Sequence, residues 1–436
     1  MRNKADSSGS DAERRVVALM AACDRALSER RAVDAEQAFG QAQALMPDHP
    51  AVHYEHSRRL YAAGNPHGAR ERLEKAVASA PGEARYWHGL AAVLRALVLN
   101  EEELAALDGA LKVEPRDAIA LLYKGAVLDR MGKRRTASRI YSNALQVMAS
   151  GRQLPPALEP LVREATQRVQ QVRAEFSAYA DRRLGASALS SVGRRGNRFV
   201  DLMIGRARHY PPRPTGLYFP NLHNYEFHDR DQFPWLESLE ASTNAILEEC
   251  LAVLGQDAEG LEPYVAYRDG LPLDQWKELN NSRRWSAYFL WKESARIEAH
   301  LARCPKTEAA LQAIPRVDIP GFGPTAFFSI LDAKTRIPPH HGVTNTRLTV
   351  HLPLVIPPGC YFRVGNDTRP WKAGEGWVFD DSIEHEAWND SDVPRAILIF
   401  DVWNPELSVG ERDMVREATL TFAEFFDVEG MEGLGL

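Results

Sequence analysis

The spacing of apolar and polar residues changes near the middle of the chain. Up to about residue 150, apolar residues follow the period of amphipathic helices. From about residue 215, short alternating runs and clustered aromatic residues replace that period, as in YFPNLHNYEFHDRDQFPW. Alternation is typical of strands, whose successive side chains point to opposite faces. The pattern therefore predicts a helical region followed by a region of short strands.

A repeat of 34 residues organises the helical region. Pro47, Pro81 and Pro115 stand at that interval, and Gly64 and Gly132, two periods apart, fall where paired helices should bend. The same phase is kept by the small and large apolar residues Ala42, Ala76, Ala110, Phe39, Leu73 and Leu107. A fixed period of this size predicts stacked helix pairs, with three clear units after a half unit. The alternative is an ordinary helical bundle whose prolines coincide by chance.

Four segments follow from these patterns. After the repeats, PPALEPLVREATQRVQQVRAEFSAYADRRL indicates a long helix, and GASALSSVGRRGNR indicates a flexible break. In the second half we expect one helix at about 237–254 and, over the rest of 265–405, an all-β sandwich or barrel with flanking helices. The predicted segments are helical repeats over 14–150, a helical linker over 151–214, a strand-rich domain over 215–410 and a helical tail over 411–436.

Composition narrows the classes of partner. The 436 residues are 44% hydrophobic and 26% charged, as in soluble globular proteins, and the net charge of −6 gives no broad basic surface for nucleic acid. No apolar run reaches about 18 residues, and MRNKADSSGSDAERR has no apolar core, so we expect neither a membrane span nor a signal peptide. Four scattered cysteines indicate free thiols, and the cytoplasm is the expected location.

A polar face runs along the most strongly alternating predicted strand. From residue 347 to 356 the apolar side chains point one way, while Arg347, Thr349 and His351 point the other. On an isolated half-buried strand such a face meets water, whereas in a small barrel it can line a polar interior. The segment GWVFDDSIEHEAWND supplies a second polar cluster, which includes Asp381 and His385.

The spacing of histidines suggests metal chemistry. His340 and His385 each lie near the end of a predicted strand, where ligands are usually mounted, and Arg395 begins a third strand. Two histidines with a downstream arginine are typical of a non-haem Fe(II) oxygenase that uses 2-oxoglutarate, which usually adds one carboxylate ligand. Gly342 stands where that carboxylate is expected.

Both halves resemble known families. The repeats are similar to tetratricopeptide repeats. The segments PPHHGVTNTRLTVHLPLVIPPGCYFRVGNDTRPWKAGEGWVFDDSIEHEAWND and ILIFDVWNPELS resemble the aspartyl/asparaginyl β-hydroxylase family, and WSAYFLW and RCPKTEAALQAIP extend the resemblance to about 215–410. It implies an α + β protein of two domains, in which an all-α solenoid precedes a double-stranded β-helix (jelly-roll) oxygenase domain with flanking helices.

The resemblance implies a metal site without a protein carboxylate ligand. In that family two histidines hold the iron, and a glycine occupies the usual carboxylate position. His340 and His385 correspond to the Fe(II) ligands, so Gly342 is the family's ordinary residue. Asp381 corresponds to a carboxylate thought to hold an iron-bound water, and we count it with the two histidines as catalytic. His341 is the alternative ligand and is expected to point outward.

The resemblance also implies binding sites for cosubstrate and substrate. Ser329, His351 and Arg395 correspond to residues that bind 2-oxoglutarate. Arg347 corresponds to a residue implicated in holding the substrate's side-chain carboxylate. Thr349 departs from the family, because the best-studied members carry an arginine there that also contacts 2-oxoglutarate.

The implied activity is that of a 2-oxoglutarate-dependent dioxygenase. With Fe(II) and O2 it would hydroxylate Cβ of an Asp or Asn residue, with succinate and CO2 as coproducts. The repeats favour a peptide or protein substrate, with no nucleic acid or membrane partner. Three alternatives remain: a free amino-acid hydroxylase, an iron-dependent halogenase with chloride at the carboxylate position, and a non-catalytic protein-binding scaffold with a degenerate oxygenase domain.

Overall fold

The chain divides into two compact units. The computed structural model describes residues 11–149, 151, 155–184, 193–256, 258–267, 273–428 and 430. One unit runs from Met1 to Gly205 and the other from Arg206 to Leu436. Within the described residues the first is helical and the second holds two antiparallel sheets with helices, which confirms the predicted fold class.

Four helix pairs form most of the first unit. Their helices are α1 (Asp11–Ser28), α2 (Ala32–Leu45), α3 (Pro50–Ala62), α4 (Pro66–Ser79), α5 (Ala84–Ala96), α6 (Asn100–Val113), α7 (Ala118–Arg130) and α8 (Arg134–Ala149). The predicted half unit is wrong, because α1 and α2 make a full pair in mutual contact. Pro47, Pro81 and Pro115 each stand two residues beyond the second helix of a pair, where a residue without an N–H ends a helix.

The turn inside each pair has the same backbone conformation. Gly64 and Gly132 have φ values of 78° and 76°, as their predicted place at a bend requires. Arg30 and Val98 occupy the equivalent turns with φ 58°. A side chain in this left-handed region costs roughly 1–2 kcal/mol, so the packing of the pairs imposes the turn at these two positions.

Two further helices complete the first unit. The long helix predicted after the repeats is α9 (Glu159–Leu184), and α10 (Gly193–Ile204) contacts it. The flexible break predicted over GASALSSVGRRGNR is wrong from Gly193 onward, because α10 begins there and the apolar residues of FVDLMI, directly after the break, carry a helical period. The earlier part of that break, residues 185–192, lies outside the described residues.

The second unit consists of two antiparallel sheets. Its strands are β1 (Glu262–Pro263), β2 (Trp285–Lys292), β3 (Ala295–Arg296), β4 (Ala326–Leu331), β5 (Thr335–His340), β6 (Arg347–Val355), β7 (Cys360–Val364), β8 (Asp367–Pro370), β9 (Trp377–Phe379), β10 (His385–Asn389) and β11 (Arg395–Trp403). The major sheet has the order β1-β2-β4-β11-β6-β9, with β3 beside β2, and the minor sheet has the order β5-β10-β7-β8.

Helices cover one face of the major sheet. They are α11 (Leu236–Ala241), α12 (Thr243–Gln256), α13 (Glu298–Leu301) and α14 (Pro305–Gln312). Helix α15 (Val409–Phe426) follows the last strand and packs in a separate cluster with Trp403 and Leu407. The single helix predicted at about 237–254 is two helices separated at Ser242. Side-chain hydroxyls of Ser242 and Thr243 donate to the carbonyls of Ser238 and Glu240, which competes with helix hydrogen bonds there.

Strand β6 places opposite chemistry on its two faces. Leu348, Val350, Leu352 and Leu354 join the core between the major sheet and the helices. Arg347, Thr349 and His351 lie on the other face, as the alternation predicts. A second apolar core, formed by residues of both sheets such as Trp285, Ile397, Phe362 and Ala387, surrounds that polar face.

Candidate metal and carboxylate site

The two histidines of the predicted metal site are direct partners across neighbouring strands. His340 ends β5 and His385 begins β10, and their Cα atoms pair in the ladder. Their ring centroids lie 4.0 Å apart. Each ring is fixed through Nδ1, which donates to a carbonyl two residues earlier: Pro338 O at 2.8 Å and Ile383 O at 3.0 Å. Each Nε2 is therefore the nitrogen available to a metal, a common arrangement for metal-binding imidazoles.

Both imidazoles are held in the form that binds metal. Burial lowers the pKa of His340 well below its ordinary value and lowers the pKa of His385 to about 4. The rings are therefore neutral at pH 7, and a neutral imidazole is the ligand that Fe(II) accepts.

Asp381 fills the space that a side chain at position 342 would need. A Cβ on Gly342 would lie 2.3 Å from Cγ of Asp381. Its Oδ2 accepts from the Thr349 hydroxyl at 3.0 Å, whereas Oδ1 is buried without a hydrogen-bond partner among the described residues. Burial raises the pKa of Asp381, and the neighbouring Arg347 opposes that rise.

His340 and His385 are the two candidate metal ligands that the structure brings together. Within the described part of the chain, no group of three His, Cys, Asp or Glu side chains has metal-binding geometry. Oδ1 of Asp381 is an open acceptor, as expected of a carboxylate that would hold a metal-bound water and would not bind the metal itself. His341, the alternative ligand, is half-exposed, and Glu384 and Arg213 are the charges that act on it.

Arg395 is a buried cation without a counter-ion. It begins β11, is 1% exposed, and pairs with no carboxylate among the described residues. Its Nη1 donates to the carbonyl and hydroxyl oxygens of Ser329, both at 3.3 Å, and Nε has no hydrogen-bond partner in the described part of the chain. Burial lowers the pKa of Arg395 to about 9. An isolated charge of this kind is costly, so the arrangement favours an anionic ligand.

Aromatic rings and unpaired nitrogens surround this cation. The Arg395 guanidinium lies 4.9 Å from the ring centroid of Trp371. Nδ1 of His351 and Nε1 of Trp371 and Trp377 are buried, and no described residue forms a hydrogen bond with them. Burial and the charge of Arg395 lower the pKa of His351, and His385 adds to this, so His351 lies near both Arg395 and His385.

Arg347 is already charge-balanced. Its Nη1 donates to Oδ2 of the buried Asp401 at 2.7 Å, and Oδ1 of Asp401 accepts from the Thr325 amide at 3.2 Å. The Nε of Arg347 is buried without a hydrogen-bond partner among the residues that the structure describes. The sequence analysis did not identify Asp401. Its sequence signal is that it is the one carboxylate in the otherwise apolar strand ILIFDVW.

The structure thus brings the predicted residues together between the two sheets of the second unit. His340, His385 and Asp381 form one end, and Ser329 with Arg395 forms the other, while Thr349 contacts Asp381 rather than the cation. Sequence reasoning missed Trp371 and Trp377. The pairing of Trp377 with His351 in the β6–β9 ladder is a register that the sequence pattern does not supply. The donor set suits a ferrous ion and a neighbouring carboxylate.

Comparison with known proteins matches both units. Residues 240–405 match the family described as "Aspartyl/Asparaginyl beta-hydroxylase", and residues 26–94 match "Tetratricopeptide repeat". The family resemblance of these two regions is therefore confirmed. No described helix is long and apolar enough to cross a membrane.

Two named relatives share the strand-rich region. Human aspartyl/asparaginyl beta-hydroxylase is 39% identical over 178 residues, which are 41% of this chain and 22% of the relative. The ornithine lipid ester-linked acyl 2-hydroxylase of Rhizobium tropici is 33% identical over 192 residues, which are 43% of this chain and 64% of the relative. The chain matches less than two thirds of either relative's length.

A solved structure is similar to the helical part. The crystal structure of MamA protein covers 38% of this chain and 94% of its own, with 18% identity and a TM-score of 0.29. A TM-score this low does not establish a shared fold.

Proposed function

We propose that this chain, whose strand-rich unit matches the aspartyl/asparaginyl β-hydroxylase family, is an Fe(II)- and 2-oxoglutarate-dependent hydroxylase of an Asp or Asn Cβ in a peptide or protein. One observation carries the proposal: two neutral imidazoles 4.0 Å apart share an interior with the unneutralised cation Arg395. When bound, iron with 2-oxoglutarate and O2 supplies the oxidation, with succinate and CO2 as coproducts.

The chain's own residues then have distinct tasks. His340 and His385 would bind the metal through Nε2, and the carbonyls of Pro338 and Ile383 keep both rings in one tautomer. Asp381 would supply the acceptor Oδ1 to a group bound to the metal, and the Thr349 hydroxyl fixes the orientation of the carboxylate. Gly342 leaves the space that this carboxylate occupies.

Arg395 and its neighbours suit the distal carboxylate of 2-oxoglutarate. A guanidinium can hold a carboxylate through two parallel hydrogen bonds, and Ser329 adds a hydroxyl at the same end. His351 is close enough to both Arg395 and His385 for their charges to act on its pKa. Thr349 does not replace the arginine of other family members, because its hydroxyl is used by Asp381.

A second candidate is hydroxylation of an acyl chain beside its carbonyl group. The Rhizobium tropici relative is named for 2-hydroxylation of an ornithine lipid acyl chain. Asp401 already balances the charge of Arg347, so the site does not require a free carboxylate from the substrate. The Cβ of an aspartate is also the carbon next to a carbonyl, so one site geometry suits both reactions.

The test of the activity is succinate formation with Fe(II), 2-oxoglutarate and O2. We expect His385→Ala to abolish it and the half-exposed neighbour variant His341→Ala to retain it. Equal turnover by the wild-type protein and His385→Ala would refute the metal assignment. Absence of iron-dependent 2-oxoglutarate binding in calorimetry would instead support the non-catalytic scaffold.

Mass spectrometry distinguishes the substrates. We expect a gain of one oxygen atom on Asp- or Asn-containing peptides under the first proposal, and on an acylated lipid under the second. A product with chlorine in place of oxygen would establish the halogenase alternative, and a modified free amino acid would establish the free amino-acid hydroxylase.

A further inference from the structure

An arginine-rich segment interrupts an otherwise acidic chain. Residues 182–213 contain eight arginines and no lysine, and Asp201 is their one acidic residue, whereas the whole chain has a net charge of −6. The segment includes the end of α9 and all of α10. Neither the metal site nor the repeat period of the helix pairs explains this concentration of positive charge.

Helix α10 directs apolar side chains to solvent. Arg195, Phe199, Leu202 and Met203 are spaced by four, three and one residues, so they share one face of the helix. All four are exposed, Phe199 to 67% and Met203 to 49%. Ile204, at the end of the helix, is buried. The outward face is therefore apolar with a basic residue at its start.

The neighbouring helix has the same character. Helix α9 contacts α10, and a Cβ on Gly205 would lie 3.0 Å from the Arg173 side chain. The last half of α9 exposes Phe176 and Tyr179, followed by the exposed Arg182 and Arg183. Large exposed apolar groups beside arginines on two contacting helices mark an interaction surface rather than scattered exposure.

We propose that α10 binds the surface of an anionic lipid bilayer. Its apolar face would lie among the outer acyl chains, while the exposed Arg195, with Arg182 and Arg183 of α9, would contact phosphate headgroups. Nucleic acid would use the arginines but would leave the row Phe199, Leu202 and Met203 in water. A helix needs about 20 apolar residues to span a bilayer. Helix α10 has 12 residues, so it would lie along the membrane surface.

The test is co-sedimentation of the full chain with lipid vesicles. We expect binding to vesicles of equal phosphatidylglycerol and phosphatidylcholine, little binding to pure phosphatidylcholine, and release in about 0.5 M NaCl. The double variant Phe199→Ser, Met203→Ser should lower the vesicle partition coefficient at least about tenfold. Arg195→Glu should lower it about thirtyfold, since two charge units are changed at the surface.

Helix α15 offers a matched control. Phe425 is 80% exposed but lies beside Glu424 and Asp427 in an acidic setting. Phe425→Ser should leave vesicle binding unchanged, because an exposed phenylalanine without basic neighbours has no attraction to anionic lipid. Circular dichroism of each variant confirms that the helical content is kept.

Four results would overturn the proposal. They are the absence of wild-type binding to anionic vesicles, equal binding by the Phe199 and Met203 double variant, tighter binding to duplex oligonucleotides than to vesicles, and conversion of a dimer into monomers by the double variant. The last would assign the face to contact between two copies of this chain. None of these measurements uses catalysis, so they are independent of the proposed hydroxylase activity.

Discussion

Two buried charges, one in each unit, have opposite surroundings. Glu103 in the helical unit is 0% exposed and accepts from Arg95 Nε at 2.7 Å and from Arg130 Nη2. Arg395 in the strand-rich unit is equally buried, yet no described carboxylate pairs with it. A paired buried charge is tolerated and an isolated one is costly. The ion pairs of Glu103 connect neighbouring helices. The unpaired Arg395 can instead gain a favourable interaction when an anion binds.

The largest expected effect comes from removing the isolated charge. Arg395→Met should weaken 2-oxoglutarate binding by about a hundredfold or more, because a desolvated charge pair with the ligand is lost. It should leave the free energy of unfolding unchanged or raise it, because an uncompensated cation is replaced by an apolar chain. Calorimetry with Fe(II) under argon and urea unfolding measure the two quantities.

The control for that variant is Arg336→Met. Arg336 lies on β5, exposed, and pairs with Asp390 on the surface, so its loss should change neither quantity appreciably. Strong destabilisation by Arg395→Met with unchanged ligand affinity would show that the two buried charges have the same structural task.

The reciprocal change is made in the helical unit. Glu103→Gln leaves Arg95 and Arg130 without their shared carboxylate, and we expect the free energy of unfolding to fall by roughly 3 kcal/mol. Urea unfolding followed by circular dichroism measures it. Glu102→Gln, whose partner Arg70 is on the surface, should change it by less than about 0.5 kcal/mol. Equal effects of the two variants would contradict the comparison.

Close glycine contacts extend the comparison to packing. A Cβ on Gly125 would lie 2.4 Å from the buried ring of Tyr141, and one on Gly342 would lie 2.3 Å from Asp381. We expect Gly125→Ala to cost roughly 1–3 kcal/mol of unfolding free energy, because the helices must separate. Under the proposed metal assignment, Gly342→Ala should act mainly on Co(II) affinity, measured by absorbance, because the new Cβ displaces the Asp381 carboxylate.

Gly40→Ala is the control for these two glycines. It lies in α2 with nothing within 4 Å of a new Cβ, so it should stabilise the helix by up to about 1 kcal/mol. If Gly342→Ala lowered stability as much as Gly125→Ala and left Co(II) affinity intact, the space at position 342 would be structural only.

The smallest expected effect is a gain in stability. Val98 adopts φ 58° in an exposed turn where two of the other three helix pairs carry glycine. Val98→Gly should raise the free energy of unfolding by about 1 kcal/mol, because the left-handed region is free of strain only for glycine. Thermal unfolding measures it, and a lowered Tm would show that the valine side chain contributes packing that outweighs its strain.

The helical register could be predicted because proline and small residues recur with it, but the turns at Arg30 and Val98 could not. Packing between helices imposes their backbone conformation, and neither residue type signals it. Helix α10 was missed because its glycines and arginines resemble a loop, although NRFVDLMI carries the helical period. Local pattern and tertiary packing conflict at these points.

At the candidate site, local alternation placed Arg347, Thr349 and His351 on one face correctly. The positions of His340, His385 and Arg395 at strand ends followed from the same pattern. The ion pair of Arg347 with Asp401 and the approach of Trp371 to Arg395 depend on cross-strand register and loop path. These are non-local, so a single sequence does not determine them.

Because His340 pairs directly with His385, metal binding by the two residues would depend on the correct register between β5 and β10. A slip of one residue between β5 and β10 would turn one imidazole to the opposite face. An insertion or deletion in either strand would therefore abolish metal affinity before it abolished folding. Iron bound by both histidines would in turn link the ends of the two strands, so the bound metal would also stabilise the minor sheet.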